Sequence, residues 1–400
     1  MAGPLEGITV IDLTSVVAGP LATQLFAQQG ARVLKIEPPE GDRARALGAI
    51  AAPGFSAVHA TLNAGKASVG LDLAQLPARE ILMRLIAGAD IVIHNFRPGV
   101  DERLGLDSAT LHRQHPRLVI ARITGFGQEG PMSAERAYDP IVQAEAGMTV
   151  RDATGEPRLA PQWVCDKTAG LYAAQAVSAA LVARERTNRG CVVDISMMEA
   201  AVAYGWIDVH GTEIFAQPLV QAPDIAAVYR PWRTRDGWVV IVMLSQAEFA
   251  GWARALGVSQ VFEDPRFADM ASRFRNWDAL RAIGAPHLAD MTTTDATARL
   301  RMAGVPCGVA NDKPGVRNHP QLDADGYLVT REDPRFGPTT TPLPVARFDG
   351  LRDAAPSPAE MIGAATRKTL VMLGLASDVV DAAFASGAAH SHSHSVGAGQ

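Results

Sequence analysis

Short β-rich runs alternate with helical patterns through the first 200 residues, and this alternation restricts the possible fold more than any other feature of the chain. Near the N-terminus, the strand-like run ITVIDL precedes LATQLFAQQ, which has helical spacing. Gly30 then takes the place of a helix C-cap before the strand RVLKIE. Further strands are predicted at ASVGLDL, ADIVIHNF, RLVIARIT and CVVDISM. This order predicts a Rossmann-like α/β domain with a doubly wound, mainly parallel sheet, and ligands bind beyond the carboxyl ends of such strands.

The pattern changes after residue 200, and a chain of 400 residues has room for about two domains. The strand GWVVIVM and the helix QAEFAGWARALG open a mostly helical section that GVPCGVA closes. We expect residues 1–200 to form a large domain and residues 225–325 to form a second, smaller α+β domain. Residues 335–386 are predicted to complete the large domain, and the low-complexity residues 387–400 are predicted to be a disordered tail.

Composition and charge exclude several classes of function. The net charge is −5 and no basic stripe is visible, which argues against a nucleic-acid-binding protein. No run of 18 apolar residues and no signal-peptide pattern occur, so we expect no membrane span. Cys165, Cys191 and Cys307 are too few and too scattered for a disulfide framework or a Cys-rich metal site. A cytoplasmic protein without a bound metal is therefore expected.

The glycine-rich segment GFGQEG, residues 125–130, formally matches G-x-G-x-x-G and follows a predicted strand. A dinucleotide site also needs a helix that opens at the third glycine, whereas Pro131 and a loop-like segment follow here. The segment is therefore interpreted as a functional glycine loop and not as an NAD site. Motifs for a P-loop, a G-x-S-x-G nucleophile and an H-E-x-x-H metal site are absent from the sequence.

What remains is a lone carboxylate, Asp166, at the junction between PRLAPQWVC and an Ala-rich helical pattern. One interpretation is a helix N-cap, because Asp accepts hydrogen bonds from free backbone N–H groups. The other is a nucleophile that a helix N-terminus keeps ionised. The neighbouring Cys165 is better interpreted as a small buried hydrophobe than as a nucleophile.

An ordered series of segments bears on that choice, and its members run DLTSVVAGPLATQLFAQQGARVLKIEPPEGDRAR, LNAGKASVGLDL, NFRPGVDERLGL, ITGFGQEGP, YDPIVQAEAG, PRLAPQWVCD and RTNRGCVVDISMMEA. Later segments, RTRDGWVVI, FEDPRF and GVPCGVANDKPGV, continue it. The series resembles the family III CoA-transferases, which include formyl-CoA transferase, carnitine CoA-transferase and the related α-methylacyl-CoA racemases. The likeness extends from Leu5 to about Ala383.

The resemblance implies that Asp166 is the nucleophile of a CoA-transferase. Its carboxylate would pass CoA from an acyl-CoA to a free carboxylic acid, through aspartyl anhydride and aspartyl-CoA thioester intermediates. Coenzyme A is then a co-substrate, and neither ATP nor a metal is required. The family also implies an interlocked homodimer, in which residues 200–225 and 326–345 could serve as the long connections between domains.

Residues that contact CoA can also be carried over from the matched motifs; these are Val16, Ala18, Arg45, Lys66, Asn95, Phe96, Arg103 and Tyr138. Arg43 competes with Arg45 for the arginine after the Gly-Asp pair. The family's N-R-x-K-R-S segment is Asn63-Ala-Gly-Lys66-Ala-Ser68 here, so phosphate contacts beyond Lys66 are in doubt. The glycine-rich loop of formyl-CoA transferase has no counterpart in residues 220–245, which weakens an oxalate/formyl-CoA specificity.

Three other functions stay open at this point. A 2-methylacyl-CoA racemase on the same fold needs protonatable groups on both faces of its substrate. Tyr138 stands where the racemases have a His, and a reference pKa of about 10 makes Tyr a poor partner at neutral pH. A CoA-binding protein without catalysis would need Asp166 only as a cap, and acyl-CoA hydrolysis would result from capture of the anhydride by water. The acceptor acid is undetermined, with a small dicarboxylate and a donor such as succinyl-CoA as the guess.

Overall fold

The computed structural model describes residues 3–151, 154–211, 214–217, 229–352 and 355–391. The chain divides into two compact units. The large unit combines Met1–Val209 with Gly326–Gln400, and the small unit is His210–Asp325. The large unit is therefore built from both ends of the chain. The predicted start of the small domain, residue 225, lies outside the described residues.

The β-strands are numbered β1 to β16 along the described chain, and β11 to β13 belong to the small unit. They are β1 (Thr9–Leu13), β2 (Arg32–Glu37), β3 (Ile50–Ala52), β4 (Phe55–Ser56), β5 (Ala67–Leu71), β6 (Ile91–His94), β7 (Val119–Thr124), β8 (Thr149–Arg151), β9 (Pro157–Leu159), β10 (Val192–Ser196), β11 (Trp232–Arg233), β12 (Trp238–Ile241), β13 (Cys307–Val309), β14 (Leu328–Asp333), β15 (Gly337–Pro342) and β16 (Ala389–His390).

The central sheet of the large unit has seven strands among the described residues, in the order β10-β7-β6-β1-β2-β5-β16. All pairings are parallel except that of β16 with β5, which confirms the predicted mainly parallel α/β sheet. Alternate residues of β1 enter two different cores, since Val10 packs in one and Ile11 in the other. Both faces of the sheet are therefore covered, which explains why Val10 and Ile11, on opposite faces of β1, are both fully buried.

Eight helices of the N-terminal part are labelled α1 to α8. They are α1 (Ala18–Gln28), α2 (Ala57–Leu62), α3 (Leu76–Ala87), α4 (Val100–Leu104), α5 (Ser108–Gln114), α6 (Asp139–Glu145), α7 (Val164–Thr187) and α8 (Met197–Gly205). Helices α1 and α7 pack together on one face, where a Cβ added to Gly170 would lie 2.5 Å from the backbone oxygen of Ala18. This close approach brings the N-terminal ends of the two helices together.

The C-terminal segment covers the opposite face of the sheet. Its helices Thr366–Met372 and Ser377–Ala385 place Leu370 and Val380 in the same core as α3. Strand β16 then pairs antiparallel with β5 at the edge of the sheet. The prediction of a disordered tail over residues 387–400 is therefore wrong for residues 387–391, because the buried Ala389 docks beside β5. Residues 392–400 lie outside the described residues.

Residues 326–345, which we expected to serve as a long connection between domains, contain the antiparallel hairpin of β14 and β15. Within the large unit, the hairpin packs against the N-terminal part of the chain through Phe336, whose ring stacks on that of Phe55 at 4.4 Å. Arg335 adds a hydrogen bond of 2.9 Å to the backbone oxygen of Ala359. The hairpin was hard to predict because Pro338 and Pro342 lie within β15 itself, and proline removes ladder donors.

The small unit is an α+β structure. Its antiparallel strands follow the order β11-β12-β13, and its core contains Trp232, Trp252 and Trp277. The α-helices are Gln246–Leu256, Met270–Arg275, Trp277–Ala289, Thr293–Met302, Lys313–Arg317 and Pro320–Ala324, and the 3₁₀-helices are Ser259–Phe262 and Pro265–Phe267. In the part of the chain that is described, no helix combines the length and the apolar character needed to cross a membrane.

Candidate active site

A cleft of about 300 Å³ lies in the large unit, at the carboxyl edge of the parallel sheet. The loops after β1, β6 and β7 line it, as the position of ligand sites in such sheets predicts. Six residues that the sequence proposed for the site lie on its wall: Val16, Ala18, Asn95, Phe96, Tyr138 and Asp166. Of the glycine loop GFGQEG, Gly125 lines the cleft.

Asp166 is the third residue of α7, which begins at Val164 after the N-cap residue Trp163. Its side chain is therefore not the N-cap, and the capping interpretation is wrong. A second carboxylate satisfies this helix end instead, because the backbone N–H of Asp166 donates to Oδ2 of Asp139 at 2.9 Å. Asp139 is buried at the start of α6 and also accepts a hydrogen bond from Gln143 at 2.5 Å.

The pKa of Asp166 is raised to about 7, first by burial and then by the negative charge of Asp139. A hydrogen bond from the backbone N–H of Ala18 lowers it again in part. The position near a helix N-terminus was expected to keep the carboxyl ionised, but burial and the second carboxylate outweigh that effect. At neutral pH the carboxyl of Asp166 therefore exchanges between its acid and its carboxylate, which is typical of functional groups.

The loop that carries the Ala18 donor has an unusual backbone. Val16 has φ 71°, and Ala18 two residues later is the first residue of α1. A β-branched residue in this left-handed region costs about 1–3 kcal/mol and persists only where its surroundings impose it. Asn95 holds the loop on the cleft side, because its Oδ1 accepts from the N–H of Ser15 at 2.9 Å and its Nδ2 donates to the oxygen of Ser15 at 2.8 Å.

Two of the predicted basic residues lie in the interior and do not line the cleft. Arg45 forms hydrogen bonds of 2.8 and 2.6 Å to the two carboxylate oxygens of Glu37. The ammonium of Lys66 lies 3.1 Å from Oδ2 of Asp12 and donates to the oxygen of Pro20 at 2.9 Å. Arg103 is exposed on α4, also outside the cleft lining. The fold thus uses Arg45 and Lys66 as buried counter-ions of strand carboxylates.

Three other arginines line the cleft: Arg43, Arg97 and Arg136. Sequence reasoning named Arg43 only as a competitor of Arg45 and did not name the other two. Nη1 of Arg43 donates to the Tyr138 hydroxyl at 3.1 Å, which joins two walls of the cleft. Glu37 lies at the buried end of β2 and needs a cation as its partner, and that cation is Arg45. Because Arg45 is used in this way, Arg43 is the arginine that remains for the cleft.

The thiol of Cys165, next to Asp166, lacks the properties of a reactive cysteine. Cys165 is fully buried, and its Sγ lies 3.9 Å from Sδ of Met148. Burial, together with the charges of Asp139 and Asp166, raises the pKa of the thiol to about 12. A thiol with that pKa carries almost no thiolate at neutral pH, so Cys165 is not a competing nucleophile. Within the described ranges, no group of three His, Cys, Asp or Glu side chains is arranged to hold a metal ion.

Comparison with known proteins agrees with this geometry. The family model for CoA-transferase family III matches residues 5–366. The acetyl-CoA:oxalate CoA-transferase of Acetobacter aceti is 33% identical over 336 residues, which cover 82% of this chain and 86% of the relative. The succinate–glutarate CoA-transferase of Agrobacterium fabrum is 31% identical over 342 residues, which cover 82% of this chain and 85% of the relative.

A solved structure shows the same fold. The probable fatty acyl-CoA transferase of Mycobacterium tuberculosis is 33% identical over 380 residues, which cover 90% of this chain and 96% of the relative. Its orthorhombic crystal structure superposes with a TM-score of 0.79, over 91% of this chain and 98% of that one, at 31% identity. The chain described here belongs to CoA-transferase family III and is a CoA-transferase.

Proposed function

We propose that Asp166 is the nucleophile that carries CoA between an acyl-CoA thioester and a free carboxylic acid. The observation that supports this most strongly is the Asp166 carboxyl on the cleft wall, with the Ala18 N–H directed at it. A backbone donor at this position can stabilise the oxyanion that forms when a thiolate or carboxylate attacks the Asp166 carbonyl carbon. A carboxyl that only supported the fold would not need to face the cleft.

The proposed reaction consists of four acyl transfers. First, a carboxylate oxygen of Asp166 attacks the thioester carbon, the C–S bond breaks, and an anhydride and the CoA thiolate result. The thiolate then attacks Cγ of Asp166, which releases the donor acid and leaves CoA on Asp166 as a thioester. The acceptor carboxylate attacks the same carbon and expels the thiolate. Finally, the thiolate attacks the acceptor carbonyl carbon and frees the Asp166 carboxylate.

Only the ionised form of Asp166 can start this sequence. Because burial and the charge of Asp139 raise the pKa of Asp166 to about 7, both its acid and its ionised form are present near neutral pH. The chemistry passes on thioester energy that is already present in the donor. Coenzyme A therefore acts as a co-substrate, and we propose that no further cofactor takes part.

The cleft arginines provide the positive charge that the phosphates of CoA require. Arg43, Arg97 and Arg136 line the same cavity as Asn95 and Phe96, which the family resemblance assigns to the nucleotide end. Guanidinium groups bind phosphate through paired hydrogen bonds, so a few of them can hold an anionic ligand on a protein of net charge −5. We propose these three arginines, and not Arg45 or Lys66, as the phosphate contacts.

For the substrates, we propose an acyl-CoA donor such as succinyl-CoA and a small dicarboxylate acceptor. Two of the relatives carry oxalate or glutarate in their names, which supports this class. We also propose that the protein works as a homodimer. Exposed apolar side chains on α7 and just after α8, such as Leu171, Val182 and Ile207, are consistent with a surface that a second copy covers.

A panel experiment tests this function. The protein is incubated with acetyl-CoA, succinyl-CoA or a long-chain acyl-CoA, each with oxalate, glutarate or succinate, and the CoA esters formed are identified by mass spectrometry. Formation of the acceptor's CoA ester at a rate well above acyl-CoA hydrolysis supports the proposal. Hydrolysis alone would indicate a thioesterase. Rapid exchange of the α-proton of a 2-methylacyl-CoA in deuterated water, without transfer, would indicate a racemase.

A further inference from the structure

The loop Thr14–Val16, between β1 and α1, is held by side chains from other parts of the chain. The ammonium of Lys35 donates to the backbone oxygen of Thr14 at 2.9 Å, and Oδ1 of Asp42 accepts from the N–H of Val16 at 3.0 Å. The side chain of Asn95 forms hydrogen bonds to both the backbone N–H and the backbone oxygen of Ser15, which lies between Thr14 and Val16. Lys35 and Asp42 do not line the cleft, so their contacts with this loop need another explanation.

Lys35 and Asp42 form a buried ion pair. The ammonium lies 2.8 Å from Oδ2 of Asp42, and both side chains are at most 2% exposed. Asp42 is further fixed because its own N–H donates to Oε2 of Glu37 at 3.0 Å. Removing one member of such a pair leaves an uncompensated buried charge, so the pair can impose a conformation on the groups it binds.

What the pair imposes is the left-handed conformation of Val16. With φ 71°, Val16 would relax towards negative φ if its N–H lost the acceptor. The peptides that follow would then rotate, and one of them carries the Ala18 N–H that reaches Asp166. Oδ1 of Asp42 also accepts from the N–H of Ala44 at 2.8 Å and caps the 3₁₀-helix Arg43–Ala46, the first residue of which lines the cleft.

Given Asp166 as the proposed nucleophile, on which this inference rests, we propose that Asp42, braced by Lys35, is a positioning residue. It holds Val16 in its left-handed conformation and so places the Ala18 N–H against the Asp166 carboxyl. Asp42 touches no substrate in this arrangement. It acts through the backbone of the loop.

Two substitutions at Asp42 separate its roles. Asp42→Ala removes both the acceptor for Val16 and the ion pair. Asp42→Asn keeps an oxygen that can accept from Val16 and Ala44 and removes only the charge. Asp90→Ala is the matched control, because Oδ2 of Asp90 accepts from the N–H of Thr9 at 2.8 Å and Oδ1 lies 2.9 Å from Arg184. Thr9 is the first residue of β1, at the strand end away from the cleft.

Two measurements report on the Ala18 donor without relying on turnover. Hydrogen exchange of the peptide that contains Val16 and Ala18 reports on the loop. The pKa of Asp166 is read from a pH titration of its ¹³C carboxyl signal, in protein labelled at Asp Cγ. The signal is assigned by its loss in Asp166→Asn, and the variants compared leave the neighbouring Asp139 and Cys165 in place.

We expect Asp42→Ala to speed exchange in this peptide and to raise the pKa of Asp166 by about one unit, because a hydrogen bond to the charged form is lost. CoA transfer from succinyl-CoA should fall at least about tenfold. Asp90→Ala should leave the titration close to that of the wild type. Asp42→Asn, which keeps the acceptor for Val16 but breaks the ion pair, should shift it in the same direction by a smaller amount than Asp42→Ala. If Asp42→Ala does not fold, Lys35→Gln, which can still donate to Thr14, should shift the titration in the same direction.

Unchanged exchange and titration in Asp42→Ala, or in Lys35→Gln if that variant replaces it, would overturn the inference. So would an equal shift in Asp90→Ala. If the variants show these effects but the wild-type protein transfers no CoA, the proposed function is contradicted and the positioning of the Ala18 donor by Asp42 still holds.

Discussion

Asp166→Asn should make the protein more stable at alkaline pH while it removes activity. The ionised carboxyl is disfavoured in the folded protein, since its pKa is raised from 3.8 to about 7. A carboxyl with a raised folded pKa contributes its full stability below the unfolded pKa and loses it as pH rises through the folded pKa. The wild type should therefore lose stability between about pH 4 and pH 7 relative to the Asn variant, which has no carboxyl at this position to ionise.

The size of this difference in the free energy of unfolding follows from the pKa shift of Asp166. About three pKa units correspond to at most about 4 kcal/mol at 1.36 kcal/mol per unit. Part of Asp166 is open to solvent, so we expect a difference of about 1–2 kcal/mol at pH 8.5 compared with pH 5. Asn can still accept from the Ala18 N–H, and the geometry should survive. Turnover, in contrast, should fall by several orders of magnitude because the attacking charge is gone.

The assay compares urea unfolding of wild type and variant at pH 5 and pH 8.5, with CoA transfer measured on the same preparations. Asp323→Asn, at an exposed aspartate of the small unit, is the control and should change neither quantity. A variant that is less stable than the wild type at pH 8.5 would refute the electrostatic description of the site. Wild-type transfer rates in Asp166→Asn would refute the proposed mechanism.

Three further changes have expected outcomes. Asp139→Asn removes the negative charge beside Asp166, so the acid limb of kcat/KM against pH should move to lower pH; an upward shift would contradict this. Arg43→Ala should raise KM for the acyl-CoA at least about tenfold, whereas Arg103→Ala should change it less than about threefold, and equal effects in steady-state kinetics would reject the cleft assignment. Cys165→Ala should keep most of the transfer activity, because its thiol is not ionised at neutral pH; abolished activity in a folded variant would show that the thiol takes part.

The sheet could be predicted because its strands carry their own signal. Runs such as those of β1, β6 and β7 carry apolar residues on both faces, and the helices between them leave few alternatives to a parallel order. The edge strand β16 could not be predicted in this way. It consists of only two residues, and its partner, Gly70 on β5, is more than 300 positions away in the sequence.

The sequence could predict which backbone segments meet at the site. It could not predict in which direction the individual side chains point. The loops after β1 and β6 and the start of α7 meet at the cleft because the topology brings them there. Sequence spacing does not show which of Arg43 and Arg45 points inwards; the need of Glu37 for a buried partner decides that. Likewise, Asp166 could not be separated from a helix cap without knowing that Asp139 binds the N–H at that helix end.

The fate of the acceptor's oxygen tests the central claim most directly. When the acceptor carboxylate attacks the Asp166 thioester and CoA then attacks the acceptor carbonyl carbon, one oxygen of the acceptor stays on Asp166. Incubation with succinyl-CoA and ¹⁸O-labelled glutarate, followed by mass analysis of the peptide that contains Asp166, should therefore show the heavy isotope on this residue. The label should be absent from Asp139 and from the Asp166→Asn variant. Formation of glutaryl-CoA with no label on Asp166 would contradict the account.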